Sequence, residues 1–462
     1  MSLAGGIDRL RRRASRPIYL STLQSMFASG AGQFALVISG ICAARILGVE
    51  DRGQLALFVL IPMILTVLGA LGVPVALTYF IARDPSNARG VVATARRFAA
   101  AQTAGIMTLH IIILIYLYRD ASTSVQIAAA TTILVVPTKL AQDYGNAMLQ
   151  GQQRYRAFNI TRCLPAFAYA SSVLAVFIIG SGHLLTVTLC YVISTAAAGV
   201  ATLTVAFCSL PATMSPERSP HVGELVKFGS KALLGAVYPT ETFQIDQAFV
   251  GLFLSRIALG TYVVGVSFTN LPRFMAQSVG LVAYPNVAGT SDKREARKKV
   301  WRFFWLVFAI SLVICGGLEF ATPTLVPFLF GDAFRASVGI TQILLISSFI
   351  VSIRRVLSDG MRGVGYPILG SIAEVTGLLL LIPALIVLIP IAGITGAATA
   401  MPIAAAGGLT VLLIGVAVTG RQDARQFAAE ARVAQSPSRI LERAQQASYL
   451  AVAGSLAQGE EP

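Results

Sequence analysis

Residues 44–58 read ARILGVEDRGQLALF, and residues 255–268 read SRIALGTYVVGVSF. In each stretch an apolar run reaches a Leu-Gly pair and a second apolar run follows soon after. This pattern is typical of two helices joined by a tight turn. Gly48 in the first stretch matches Gly260 in the second. The pattern therefore predicts that the chain is an internal duplication and that each copy begins with such a pair of helices.

Two further pairs of glycines support the duplication. The separation that relates Gly48 to Gly260 also relates Gly53 to Gly265 and Gly151 to Gly363. If each copy holds six helices, an even number, both copies cross a membrane in the same direction. The pattern predicts parallel repeats related by an axis along the membrane normal, with a central cavity between them.

The composition is that of a membrane protein. Of the 462 residues, 55% are hydrophobic and 12% are charged, whereas a soluble domain carries roughly 25% charged residues. The mean hydropathy is +0.72. The apolar runs are continuous and about as long as the ~20 residues that a membrane-crossing helix needs, which favours helices over a barrel. We predict an all-α integral membrane protein with about twelve transmembrane helices. The predicted blocks are residues 18–44, 54–82, 91–118, 125–149, 158–179, 184–208, 225–254, 258–284, 301–320, 337–357, 366–389 and 392–419.

The blocks divide the chain into five segments. A basic N-terminus (1–17) precedes an N-terminal six-helix bundle (18–209). A linker rich in Pro and Ser (210–223) leads to a C-terminal six-helix bundle (224–419), and a polar tail (420–462) follows.

The net charge of +15 is explained by topology better than by nucleic-acid binding. Lys and Arg concentrate at the N-terminus, in the tail and around the loops after even-numbered blocks, as at Arg96, Arg97 and residues 293–299. Loops after odd-numbered blocks hold few, such as Arg119 and Arg335. Because basic residues accumulate on the cytoplasmic side, we predict that both termini are cytoplasmic and that the membrane is the bacterial inner membrane.

Charged residues inside the apolar blocks are the candidate functional residues. We find no nucleotide-binding loop, zinc-ligand spacing or nucleophile motif, so neither an enzyme nor a metal or cofactor site is predicted. A charge at membrane depth costs several kcal/mol unless it faces a wet cavity or a partner. Such residues are Lys139, Asp143, Glu241, Asp246, Arg273, Arg354, Arg355 and Glu374.

For most of these charged residues, a structural role explains their position about as well as a functional role in the cavity does. Lys139 and Asp143 are four residues apart on one helix face and can form a neutralised structural pair. Arg354 and Arg355 can extend to the membrane surface. Arg273 has no acid nearby in sequence, so we predict that it faces the cavity. There its forked guanidinium suits an anionic group such as phosphate.

The sequence resembles a known family of exporters. Residues 43–83 (AARILGVEDRGQLALFVLIPMILTVLGALGVPVALTYFIAR) resemble the first two helices of Wzx-type polysaccharide flippases, which export O-antigen and capsule units. Residues 246–268 (DQAFVGLFLSRIALGTYVVGVSF) and 283–292 (AYPNVAGTSD) resemble matching family patterns. The resemblance extends to about Thr419. The wider superfamily, the multidrug/oligosaccharidyl-lipid/polysaccharide (MOP) exporters, also holds the lipid II flippase and the MATE drug exporters.

The resemblance implies a V-shaped, MATE-like transporter and an alternating-access flippase. The cargo would be an undecaprenyl-pyrophosphate-linked oligosaccharide for surface polysaccharide such as lipopolysaccharide O-antigen. The implied partners are a polysaccharide polymerase and a chain-length regulator, and some members couple transport to an H+ or Na+ gradient. The cavity residues on this chain would be Arg273, Lys139 and Gln244 for substrate, and Asp143, Glu241 and Asp246 for charge balance or ion coupling.

One departure argues against the lipid II role. The first block carries only Gln24 and Gln33 at depth, where lipid II flippases have a charged pair, and about twelve helices are predicted rather than fourteen.

Two other functions stay open. A MATE-type multidrug or metabolite antiporter would be expected to show conspicuous cavity acids, and it ranks second because the deep charges here include prominent cations. A non-transporting component of an assembly complex, docking through its basic loops and tail, ranks third.

Overall fold

The computed structural model describes the backbone of residues 3–211, 220–236, 243–290 and 292–434. Side chains are described from residue 30 to 425, apart from 212–219, 232–242 and 291. Within this part of the chain the regular structure is helical and includes no strand. The helices are α1 (Leu3–Gly69), α2 (Val73–Arg83), α3 (Ala88–Tyr118), α4 (Thr123–Thr131), α5 (Val135–Gly151), α6 (Tyr155–Ile179), α7 (Leu184–Cys208), α8 (Val222–Ala236), α9 (Ile245–Phe253), α10 (Arg256–Ala288), α11 (Lys293–Phe330), α12 (Ser337–Val364) and α13 (Pro367–Ala434).

Two of these helices each continue from one predicted block into the next. A straight helix of the 67 residues of α1 would be about 100 Å long, more than three times the hydrocarbon thickness of a bilayer. The helix is broken at Gly48, whose φ of 67° is non-helical, and α13 is broken at Gly393 with a φ of 56°. Glycine adopts positive φ without the steric cost that a Cβ brings. The Leu-Gly signal therefore marks a real bend at Gly48, but in the second stretch the helices separate at Leu254 and Ser255, and Gly260 lies inside α10.

Three blocks predicted as continuous α-helices are divided in the structure, and the fourth is divided between α4 and α5 by the 3-10 turn Thr132–Leu134. The second block is split between α1 and α2, with Leu71 and Gly72 at positive φ. Pro74 lies in the first turn of α2, where a proline is tolerated, whereas in a helix continuing from α1 it would lack the N–H donor and its ring would clash with the carbonyl of Ala70. The seventh block is split between α8 and α9, with Gln244 in a left-handed conformation at the start of α9.

The long first helix joins the two halves of the molecule. It packs against α6 in the first half and against α10 in the second. Ala44, near the bend, shares a buried cluster with Val264 and Phe268 of α10 and with Phe330 of α11. Leu57, beyond the bend, packs with residues of α9, α10 and α13. The apolar faces of α1 are thus buried on both sides.

The loops after odd-numbered blocks lie at one end of the helices, here termed the arginine-poor end, and the opposite end is termed the arginine-rich end. At the arginine-rich end Asp423, 3% exposed, ties α11 to α13. It accepts hydrogen bonds from Tyr366 Oη (2.6 Å), from Arg297 Nη2 (2.8 Å) and from Lys293 Nζ (3.3 Å). One carboxylate therefore fixes three cationic or hydroxyl partners.

The predicted segment boundaries are described only in part. The predicted N-terminal segment 1–17 belongs to α1 from Leu3 onward. The predicted tail begins as a continuation of α13 as far as Ala434. Most of the predicted linker (212–219) and residues 435–462 lie outside the described residues.

Candidate functional site

The polar pair of the first half lies on α5. Lys139 Nζ is 2.8 Å from Asp143 Oδ1, and the two side chains are 33% and 30% exposed. The predicted pairing is confirmed. Leu140 and Tyr144, on another face of the same helix, are 2% and 7% exposed. The pair thus occupies an accessible face of a helix that is otherwise packed.

The packing of α5 against α6 and α7 fixes that face. Gln142 Nε2 donates to the carbonyl of Thr161 (3.2 Å), and Thr161 Oγ1 donates to Asn146 Oδ1 (2.9 Å). A Cβ at Gly199 of α7 would lie 2.4 Å from the carbonyl oxygen of Thr138. Because these contacts hold the rotation of α5, Lys139 and Asp143 stay on the remaining open side.

A second set of charges lies in the other half. Asp246, in the first turn of α9, is 5% exposed, and its Oδ2 accepts a 2.8 Å hydrogen bond from Tyr262 Oη. Arg273 on α10 is close enough to act on Asp246 electrostatically. Tyr262 and Arg273 are eleven residues apart, which is about three helical turns, so both lie on one face of α10.

The surroundings of Arg273 are shaped by hydroxyl groups of α12. Pro272 removes a helical N–H donor next to Arg273. Ser348 Oγ donates to the carbonyl of Thr269 at 3.3 Å, and Ser337 Oγ donates to the carbonyl of Thr261 at 2.9 Å. These two hydrogen bonds hold α10 against α12 on both sides of Tyr262.

Arg354 and Glu374 form a buried ion pair between α12 and α13. Arg354 Nη2 is 2.5 Å from Glu374 Oε1, and the side chains are 5% and 11% exposed. Gly377 and Gly408 leave room for the guanidinium, since a Cβ on either would lie about 3 Å from Arg354 Nη1. The sequence-based interpretation that Arg354 extends to the membrane surface is therefore wrong.

One small cavity connects the two arginines. Arg273, Ser347 and Arg354 line a space of about 20 Å³, enough for one water molecule. Among the described residues, Arg273 Nε, Arg354 Nε and Ser347 Oγ have no hydrogen-bond partner. A water at this point would satisfy several donors at once. The second half thus holds two acids and two arginines in a connected polar interior.

The predicted site residues fall into two groups. Lys139 and Asp143 belong to the first half, and Arg273 and Asp246 to the second. Within the described part of the chain no hydrogen bond or ion pair joins the groups. Gln244 lies two residues before Asp246, and Glu241 lies outside the described residues.

Sequence reasoning missed Tyr262 and the pairing of Arg354 with Glu374. Tyr262 belongs to the quoted stretch SRIALGTYVVGVSF, but a tyrosine in an apolar helix gives no polar signal by itself. Arg354 and Glu374 were both visible as charges in apolar blocks. Charges of opposite sign in successive blocks were the signal that could have paired them.

The two halves touch closely at the arginine-poor end. A Cβ built on Gly53 would lie 1.8 Å from the carbonyl oxygen of Arg256, and one on Gly260 would lie 1.9 Å from that of Val49. Only glycine permits this approach of backbones. Gly53 and Gly260, one member from each of two duplicated pairs, are thus where the halves meet, whereas their counterparts Gly265 and Gly48 do not lie at this contact.

Two arginines cross between the halves beside this contact. Arg45 of α1 donates from Nε to the carbonyl of Leu329 (2.7 Å) and from Nη2 to that of Phe328, at the end of α11. Arg256 of α10 lies over the ring of Tyr118, at the end of α3, with its Cζ 5.7 Å from the ring centroid. We refer to these two arginines and their acceptors as the crossed clasp. Each half thus holds the last turn of a helix from the other.

Comparisons with solved structures identify the fold. A structure of the lipid II flippase MurJ in an inward closed conformation matches with a TM-score of 0.66 and 14% identity, over 85% of this chain and 87% of that one. An inward-facing multidrug resistance MATE family transporter of the MOP superfamily matches with 0.66 and 14%, over 85% and 94%. An outward-facing transporter of the same type matches with 0.58 and 14%, over 87% and 94%. The predicted all-α membrane fold in two parallel repeats with a MATE-like arrangement is confirmed.

The family follows from the sequence itself. A comparison with curated proteins gave no match. The model of a family described as "Polysaccharide biosynthesis protein" matches residues 42–339, a stretch that contains the bend at Gly48, the crossed arginines and both charge groups. The chain is a multi-pass membrane protein that belongs to the polysaccharide biosynthesis protein family.

Proposed function

We propose that the protein is a flippase that moves undecaprenyl-pyrophosphate-linked oligosaccharide units across the bacterial inner membrane for surface polysaccharide synthesis. The arginine-rich end faces the cytoplasm, together with both termini, because basic residues accumulate on that side. Membership of the polysaccharide biosynthesis protein family supports a role in polysaccharide synthesis. The fold, shared with solved transporters and a flippase, supports transport as that role. A polysaccharide polymerase and a chain-length regulator are the expected partners.

The crossed clasp is the observation that carries alternating access. Opening the arginine-poor end requires both arginines to leave acceptors on the opposite half, and the Gly53–Gly260 contact to separate. The close approach of Gly53 to Gly260 and the contacts of the crossed clasp keep the arginine-poor end closed in this structure. A bistable interface of this kind converts a small change at a central site into rigid-body motion.

The charges fit an anionic cargo. Arg273 is the proposed pyrophosphate ligand, with a guanidinium whose Nε is not engaged within the described residues. Lys139, on the accessible face of α5, and Gln244 are the proposed assisting groups. Asp143, Glu241 and Asp246 are proposed to balance charge or to couple transport to an H+ or Na+ gradient.

The proposal is tested by complementing a deletion strain and measuring surface polysaccharide at matched protein levels. Arg273→Ala is expected to lower export about tenfold or more, the ratio that corresponds to one lost charged hydrogen bond. Arg273→Lys is expected to restore part of it. Arg302→Ala removes an exposed arginine of α11 and serves as the matched control. Unchanged export by Arg273→Ala would refute the pyrophosphate role.

A MATE-type antiporter is the second candidate, because a MATE transporter matches as well as the lipid II flippase does. The family favours the flippase. If deletion increased drug susceptibility while surface polysaccharide stayed normal, the antiporter would replace the flippase as the proposed function.

A further inference from the structure

A groove opens on the outer surface of the first half, away from both charge groups. It has a volume of about 340 Å³ and lies between α3 and α7, with α5 as its floor. That volume is within the range of ligand pockets, about 300–1,000 Å³. Phe207 of α7 and Ile112 of α3 are 43% and 58% exposed. Large apolar side chains exposed on these helices face the membrane, so the groove opens to lipid.

Apart from Arg96, the polar side chains among the described residues that line the groove are engaged in hydrogen bonds. Tyr144 Oη donates to Gln102 Oε1 at 2.8 Å, and Gln102 Nε2 donates to the carbonyl of Gly69 at 2.5 Å. Thr103 Oγ1 donates to the carbonyl of Ala99 at 2.7 Å. Since these groups are already engaged, the groove suits an apolar chain rather than a polar ligand.

One charge stands at the mouth of the groove. Arg96 lines it and is exposed, and among the described residues no ion pair or hydrogen bond joins Arg96 to an acid. Arg96 is eight residues into α3, about 12 Å from its start, and Thr103 is about 10 Å deeper. The cation therefore lies towards the arginine-rich end and the apolar part towards the bilayer centre. A phospholipid of that leaflet has the same polarity.

We propose that this groove binds an anionic phospholipid, with one acyl chain between α3 and α7 and the phosphate at Arg96. Charge complementarity selects this occupant. The arginine-rich end of the first half also presents Arg83, Arg89 and Arg97, and basic residues near a bilayer surface attract anionic lipids. The site would stabilise this half while the other half moves.

Tryptophan quenching by brominated lipid tests the proposal on the full chain. The two native tryptophans, Trp301 and Trp305, are changed to phenylalanine, and Phe207→Trp places a single probe on the groove. The protein is reconstituted in unlabelled phosphatidylcholine. In one series an increasing fraction of brominated phosphatidylglycerol is added, and in the other an increasing fraction of brominated phosphatidylcholine. In both brominated lipids the bromine is in the acyl chain near the glycerol. Phosphatidylglycerol is expected to be preferred about fivefold, the ratio for about 1 kcal/mol per basic residue.

Matched variants separate the site from a general surface effect. Arg96→Gln is expected to remove the preference, while Arg97→Gln, at an exposed neighbour that does not line the groove, keeps it. Ala100→Phe fills the groove and is expected to reduce quenching by both lipids. Ala101→Phe, at an exposed neighbour outside the lining, is expected to leave it unchanged.

Three results would overturn the proposal. The first is equal quenching by the two lipids. The second is an equal loss of preference with Arg96→Gln and Arg97→Gln. The third is displacement of the brominated phosphatidylglycerol by a small mole fraction of undecaprenyl phosphate, which would assign the groove to an isoprenoid chain. A melting temperature measured for each variant in phosphatidylcholine confirms that the variants compared are folded.

Discussion

Replacing Gly53 by alanine is expected to push the two halves apart at the arginine-poor end. The added Cβ would lie 1.8 Å from the carbonyl oxygen of Arg256, whereas Cβ contacts below 3.0 Å are essentially never seen. The backbones must therefore separate by about 1 Å or more. Overpacking of this kind costs ~1–3 kcal/mol. If that cost falls on the closed state alone, its population relative to an open state decreases roughly 5- to 150-fold.

The separation is measured between spin labels on the two halves. Ser124→Cys and Ala333→Cys place labels at exposed positions of the arginine-poor end, in a background whose native cysteines are replaced. Gly53→Ala is expected to shift the distance distribution to longer values. Gly40→Ala is the matched control, because a Cβ there meets no atom within 4 Å. If both variants gave the wild-type distribution, the close contact would not govern opening.

Two further predictions concern stability. Arg354→Met removes the cation that lies 2.5 Å from the buried Glu374 carboxylate, and it is expected to destabilise the protein by ~3–5 kcal/mol in thermal unfolding, with much of the loss recovered when Glu374 is also replaced by Met. The exposed Arg335→Met should change stability by less than about 1 kcal/mol, and equal effects of Arg354→Met and Arg335→Met would contradict the burial argument. Asp423→Asn removes a charged acceptor at the arginine-rich end and is expected to cost ~1–3 kcal/mol and to increase hydrogen exchange at the start of α11. Glu295→Gln, an exposed acid of the same turn region, is the control, and unchanged exchange with Asp423→Asn would show that the carboxylate does not hold these helices.

The architecture was predictable because membrane helices leave strong signals in sequence. Continuous apolar runs give the crossings, and the Leu-Gly pair gave the bend that the structure places at Gly48. The breaks near Leu71 and Gln244 were not predicted. Leu71 and Gln244 are non-glycine residues at positive φ, a conformation that their residue types do not signal.

The candidate site was predictable only within one helix. Lys139 and Asp143 are four residues apart, so helical geometry alone brings them together. The contact of Tyr262 with Asp246 joins two helices, and its existence depends on the tertiary packing of α9 against α10. Single-sequence patterns carry no information on which faces of separate helices meet, which is why the polar interior of the second half was seen only as isolated charges.

The chemistry of the crossed clasp limits how the protein can be driven. Across the halves, Arg45 is held by two backbone carbonyls and Arg256 lies over an aromatic ring, and none of these acceptors gains or loses a proton in the physiological range. The contacts of the crossed clasp therefore do not change with pH in the physiological range. A proton or ion gradient that powered the cycle would have to act at a distance and release the clasp mechanically. Because α10 carries Arg256 at one end and Arg273 further along, a movement of this helix would connect a change at Arg273 to the release of the clasp at Arg256.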